Sequence, residues 1–132
     1  VKVSVNEQTQ RFYLAANEWV PMVGHEIKVG KYKFFAIPGS TAIRISEVES
    51  GCKVFDIPMN FAVMAQTSTK EDALKYLLQV GASLERIIKK RSNFDSELKH
   101  MKQLAFEKLG ERPPIEDVDT DWMFKDESKL KH

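Results

Sequence analysis

Asp117, Asp119 and Asp121 stand at alternate positions and form the densest group of hard oxygen donors in the chain. Three carboxylates wound into one tight loop would hold a hard cation such as calcium. The rest of a calcium loop is missing. Its sixth position is Trp122, where glycine makes the sharp turn, and its twelfth is Ser128, where a bidentate glutamate belongs. His25, His100 and His132 fit no two-histidine metal pattern, and His25 and Glu26 point to opposite faces of a strand. Cys52 is the only cysteine, which excludes an intramolecular disulfide and a multi-cysteine zinc site. It reads as a small, half-buried side chain beside a turn. There is no Gly-rich phosphate loop and no G-x-S-x-G elbow. The chain therefore reads as non-enzymatic and without a cofactor, with the Asp-rich stretch as the weak candidate for a metal or catalytic role.

Binding chemistry is better represented. Arg86, Lys89, Lys90, Arg91, Lys99 and Lys102 form a basic run at helical spacing, suited to phosphate or to an acidic partner. No aromatic residue is interleaved with these cations, so stacking on single-stranded nucleic acid has no support. Phe34 and Phe35 are neighbours on a strand and must face opposite sides, so one of them needs cover from a helix, the tail or another protein. Trp19, Phe35, Trp122 and Phe124 are the candidate anchors for a partner surface.

The elements that carry these residues divide the chain in three. Residues 1–66 read as a sheet. Val1, Val3 and Val5 alternate with polar residues, and 10–14 and 19–23 are shorter strands, with Pro21 marking an edge. Residues 25–29 and 32–37 flank Gly30-Lys31, a two-residue turn with Gly at its first position, as type II′ requires. Residues 41–48 and 52–57 flank Ser50-Gly51. Glu47 falls where an apolar residue is expected, which predicts a bulge. Met59, Phe61, Val63 and Ala65 alternate as a last strand.

Residues 67–110 change to a helical period. Ser68-Thr69-Lys70-Glu71 reads as a capping box with Ser68 as the cap. Leu74, Leu77, Leu78, Leu84, Ile87 and Ile88 form one stripe, and Phe94, Leu98, Met101, Ala105 and Leu109 the next. Gly81 marks either close packing or a break, and Ser92-Asn93 starts a second helix. Gly110 and Pro113-Pro114 stop it. Residues 111–132 are an acidic tail with seven acidic and four basic side chains, interrupted by Trp122-Met123-Phe124, which should dock on the body.

The chain has 132 residues, 42 % of them hydrophobic and 30 % charged, which is enough apolar material for one domain with its own core. Twenty basic and 19 acidic side chains leave +1, which argues against a protein that coats nucleic acid with positive charge. No apolar run reaches the roughly 18 residues needed to cross a bilayer, and no signal peptide is evident, so the expected setting is cytoplasmic with no membrane contact.

The hairpin Ile45-Ser46-Glu47-Val48-Glu49-Ser50-Gly51, its return strand, and the helix start Thr69-Lys70-Glu71-Asp72-Ala73 resemble short accessory proteins of prophages and other mobile elements. The likeness spans about residues 42–78 and carries over no site residue. The expectation is one α+β domain over 1–110: an antiparallel, curled sheet of five or six strands, two helices on one face, and the docked tail 111–132. The expected role is a non-enzymatic protein-binding or regulatory module, whose partner is another protein or a second copy. Nucleic-acid binding through the basic helix face, and a small enzyme or metal protein using the Asp-rich tail, are the alternatives.

Overall fold

A computed structural model describes residues 2–119. The strands are β1 (Val3–Val5), β2 (Gln10–Ala15), β3 (Trp19–Val29), β4 (Tyr32–Pro38), β5 (Ala42–Glu47), β6 (Lys53–Pro58) and β7 (Glu116–Asp117). The helices are α1 (Phe61–Gln66), α2 (Lys70–Lys90) and α3 (Phe94–Leu109). All seven strands pair antiparallel in the order β6-β5-β4-β3-β2-β7, with β1 also on β3, and the sheet does not close. The α+β class and the curled antiparallel sheet are as expected. The strand count is higher because the start of the tail adds β7.

Strand β3 explains the curl. Its first half, Trp19–Gly24, pairs with β2, while β4 joins only from His25 onward. Pro21 thus lies where β3 has a single neighbour, and its missing N–H costs no ladder bond on the open side. Gly24 sits at the changeover. A Cβ there would run into the carbonyl oxygen of Ala36, so only glycine lets β3 bend this close across β4. The two segments expected at 19–23 and 25–29 are therefore one bent strand.

The bend creates two cores. On one face Phe34, Ile27, Ile43 and Ile45 pack with Leu77, Val80 and Leu84 of α2 and Phe94 of α3. On the other face β2 folds back, and Phe12, Phe35, Ile37 and Val48 form a second cluster with Ile115 of the tail against it. Phe34 and Phe35 do face opposite sides, and Phe35 finds its cover inside the chain.

Three local expectations are corrected. The segment 59–65 is not a strand: Pro58 ends β6, and the Asn60 carboxamide oxygen accepts from Val63 N at 2.9 Å, capping α1. The alternation there misled because Ala62 and Met64 fill the intervening places with helix formers. Among the described residues three helices result where two were expected. The cap of α2 is Thr69, whose hydroxyl accepts from Asp72 N at 3.1 Å, while Ser68 donates to the Ala65 carbonyl. Met101 belongs to the exposed side of α3 instead of its buried stripe.

Helix α2 runs unbroken through Gly81, and glycine is needed there because a Cβ would collide with Cγ1 of Val3 on β1. Replacing Gly81 by Ala gains about 1 kcal/mol of helix propensity but overpacks this contact, which costs about 1–3 kcal/mol. G81A is therefore expected to lower the urea midpoint, and V3A in the same chain to recover part of the loss. A higher midpoint for G81A alone would contradict this packing.

Candidate functional site: an apolar groove at the start of α2

Two clefts of similar size lie on the surface. One, about 390 Å³, lies between the β3–β4 hairpin and α3 and is lined by charge. Asp95 is its hub: its two oxygens lie 3.0 Å from Lys31 Nζ and 3.0 Å from Lys99 Nζ. Glu49 meets Lys102 at 3.8 Å and Arg112 at 3.7 Å. Here the chain's cations and anions satisfy one another, so this cleft fastens α3 to the sheet. Lys99 and Lys31 hold the Asp95 carboxyl below the usual carboxylate range, and Asp95 raises Lys31. A depressed carboxyl stabilises the fold above its unfolded pKa, and the gain is lost as pH falls through its native value. The thermal midpoint should therefore drop as pH falls from the unfolded value of about 3.9 through the lower native one, and D95N should flatten that drop. An unchanged pH profile in D95N would show that the pair contributes nothing.

The second cleft, about 410 Å³, is the candidate site. Its floor is Ala36, Pro38 and Ile43 of β4 and β5, with Met59 before α1 and Ala73 and Leu77 on α2. Polar groups gather only at the rim: Thr9, His25, and the run Thr67–Lys70 that leads into α2. The sequence folds this way because Asn60 and Thr69 start two successive helices, and the short link between them stands over the end of the sheet. At this rim Lys70 opens α2, and the first turn also carries the carboxylates of Glu71 and Asp72 against the positive end of the helix. Glu71 is drawn back along the helix to Lys75, at 3.4 Å. His25 Nδ1 lies 2.9 Å from the Asn6 carbonyl, which only accepts, so this nitrogen carries a proton. Helix α1 lies between the lining residues Met59 and Thr67 in the chain, and its Phe61 and Met64 are exposed.

The residues expected from sequence fall elsewhere. Arg86, Lys89 and Lys90 are exposed on α2 and Arg91 caps its end, while Lys99 and Lys102 face the charged cleft on α3. Lys89 pairs with Glu85 at 2.7 Å and Arg91 with Glu97 at 3.5 Å. With Lys99 and Lys102 also paired, four of the six cations already have acidic neighbours. Arg86 bonds to Ser83 Oγ at 3.1 Å.

Trp19 is half-buried and donates to the Gly110 carbonyl at 3.3 Å, tying the β2–β3 hairpin to the end of α3. Phe35 is fully buried, so it is a core residue and not an anchor. Trp122, Phe124 and Asp121 lie outside the described residues. Asp117 is extended in β7 and accepts from Gln10 Nε2 at 3.0 Å. Among the described residues no three histidine, cysteine, aspartate or glutamate side chains are placed to hold a metal ion. Cys52 is half-buried, and burial raises its thiol pKa, partly offset by a 2.9 Å hydrogen bond from Ser50 Oγ. Among the described residues no helix is long and apolar enough to cross a membrane.

The groove was not found from sequence because its lining comes from residues 9 to 77 across several elements. The local cue was the polar run Thr67–Lys70 between two apolar segments. No family model matches the chain, and comparison with curated proteins and with solved structures finds no match either.

Proposed function

We propose that this chain is a non-enzymatic, protein-binding regulatory module, and that its groove receives an apolar peptide segment bearing an acidic residue. The observation that carries this reading is the combination in one groove of an apolar floor with a polar rim that includes Lys70. Ala36, Ile43, Met59, Ala73 and Leu77 offer burial to bulky side chains. Lys70 at the rim offers a counter-charge to a carboxylate. Phe61 and Met64 on α1 are large exposed apolar groups, of the kind a protein partner covers.

Nucleic acid is the weaker partner, since the basic run is mostly neutralised by its own acids. The proposed setting is the cytoplasm, on the strength of the lone thiol Cys52, and the proposed origin a mobile element, on the likeness over residues 42–78.

Selection of displayed peptides against the chain tests the reading. Enriched peptides are expected to share a bulky apolar pair next to Asp or Glu, and to lose at least tenfold in affinity for A73E. Peptides without that pattern, or binding A73E equally well, would remove the groove from the function.

A further inference from the structure

We infer that the outer side of α3 pairs antiparallel with α3 of a second copy of this chain, forming a two-fold dimer. The groove draws no lining residue from α3, so this contact is separate from the docking site above.

Helix α3 is held along one side. Phe94 and Ala105 are buried there, and Leu98 packs against the larger core. Beside that side run Glu97, Met101, Leu104 and Lys108, spaced four, three and four residues apart. Such spacing keeps all four on one narrow seam, the pattern by which one helix meets another in a coiled coil. Met101 and Leu104, at the middle of the seam, are 41 % and 45 % exposed among the described residues.

The charges at the two ends of the seam select what covers its middle. Glu97 belongs to the first turn of α3 and Lys108 to the last. Laid against a reversed copy of itself, the seam sets Met101 opposite Leu104 of the second copy and Glu97 opposite Lys108 of the second copy. The two-fold axis then repeats both contacts, as an isologous interface requires. The positive start of each helix also lies beside the negative end of the other. Parallel pairing would instead oppose Glu97 to Glu97 and Lys108 to Lys108, and like charges repel. Among the described residues Lys108 enters no ion pair. Glu97 meets Arg91 through one oxygen only, at 3.5 Å and in contact with solvent, so it can face a second cation. A seam of four residues a side covers less than the roughly 1,200 Å² of a permanent interface, so the dimer forms and parts with concentration.

Sedimentation of the full chain from micromolar to millimolar concentration tests this, with a monomer–dimer equilibrium as the expected result. E97K and K108E each turn both end contacts into repulsions, so each alone is expected to weaken the dimer at least fivefold. Mixed, the two variants bring the basic ends of one seam to the acidic ends of the other, and the mixed dimer should form at least as readily as the parent one. Association on mixing also shows that both variants are folded. A chain that stays monomeric at millimolar concentration would overturn the inference. So would single variants that dimerise like the parent chain, as parallel pairing requires, or a mixture that associates no better than its components. The parent chain gives a second reading without any substitution. Amide resonances of Met101, Leu104 and Lys108 are expected to move with concentration while those of Thr69 and Ala73 stay in place. Movement at Thr69 and Ala73 instead would put self-association in the groove and refute the α3 contact.

Discussion

Replacing Phe35 by Ala is expected to lower the stability of the chain by about 3–5 kcal/mol, the usual cost of emptying a buried phenylalanine site. Phe35 has no exposed surface and stacks on Phe12 with ring centroids 4.6 Å apart and planes 7° from parallel. The pair is the contact between β4 and the folded-back β2, and Ile37, Val48 and Ile115 complete it. Partial collapse of the cavity is resisted because Gly24 already holds β3 against Ala36 as closely as backbone allows. F35L, which keeps most of the apolar volume, should cost about 1–1.5 kcal/mol. Chemical denaturation with both variants decides the matter. A change within about 0.5 kcal/mol for F35A would mean that Phe35 faces solvent or a partner, as the sequence alone allowed.

Glu47→Ala is expected to cost about 3 kcal/mol, from two charge-assisted hydrogen bonds whose donors would be left without their acceptor. Glu47 is only 5 % exposed, and its carboxylate accepts from the backbone N–H of Glu49 and of Ser50, each at 2.8 Å. The same turn is closed by Gly51 N–H donating to the Glu47 carbonyl at 2.9 Å. It is tied to β2 by Ala15 N–H donating to the Gly51 carbonyl at 3.0 Å. Loosening the turn therefore loosens the second core. Glu47→Gln retains one acceptor oxygen but sets its amide against a backbone donor, so a loss of about 1–2 kcal/mol is expected. Equal stability of E47A and the parent chain would show that the carboxylate does not hold the turn.

Glu47 also shows how far sequence pattern reaches. Its place in an apolar position announced an irregularity, and a register shift does fall at Ile45/Ser46 between β5 and β6. That the carboxylate is buried to cap a turn was not legible, because a pattern of polarity does not reveal which backbone amides lie nearby. Helices α2 and α3, the joint near Ser92 and the two-faced placement of Phe34 and Phe35 were legible because they depend on local periodicity, whereas the change to helix comes at Phe61 and not after Thr67. The cover over Phe35 was not, since it depends on β3 bending at Gly24 and bringing β2 back across the sheet. Some of the basic run was legible in a way the charge count hides. Glu85 precedes Lys89, and Asp95 precedes Lys99, by four residues, the spacing of helical ion pairs. The groove lay beyond pattern reading altogether, because Thr9, Ile43 and Lys70 meet only once the chain is folded.

The most direct measurement is an amide-resonance titration of the isotope-labelled chain with the tightest peptide recovered from display. Saturable shifts concentrated at Thr9, Ala36, Ile43, Thr69 and Ala73, and weakened in A73E, are the predicted result. Shifts confined to Met101, Leu104 and Phe106 on α3, or to Lys31 and Lys99 around Asp95, would contradict it.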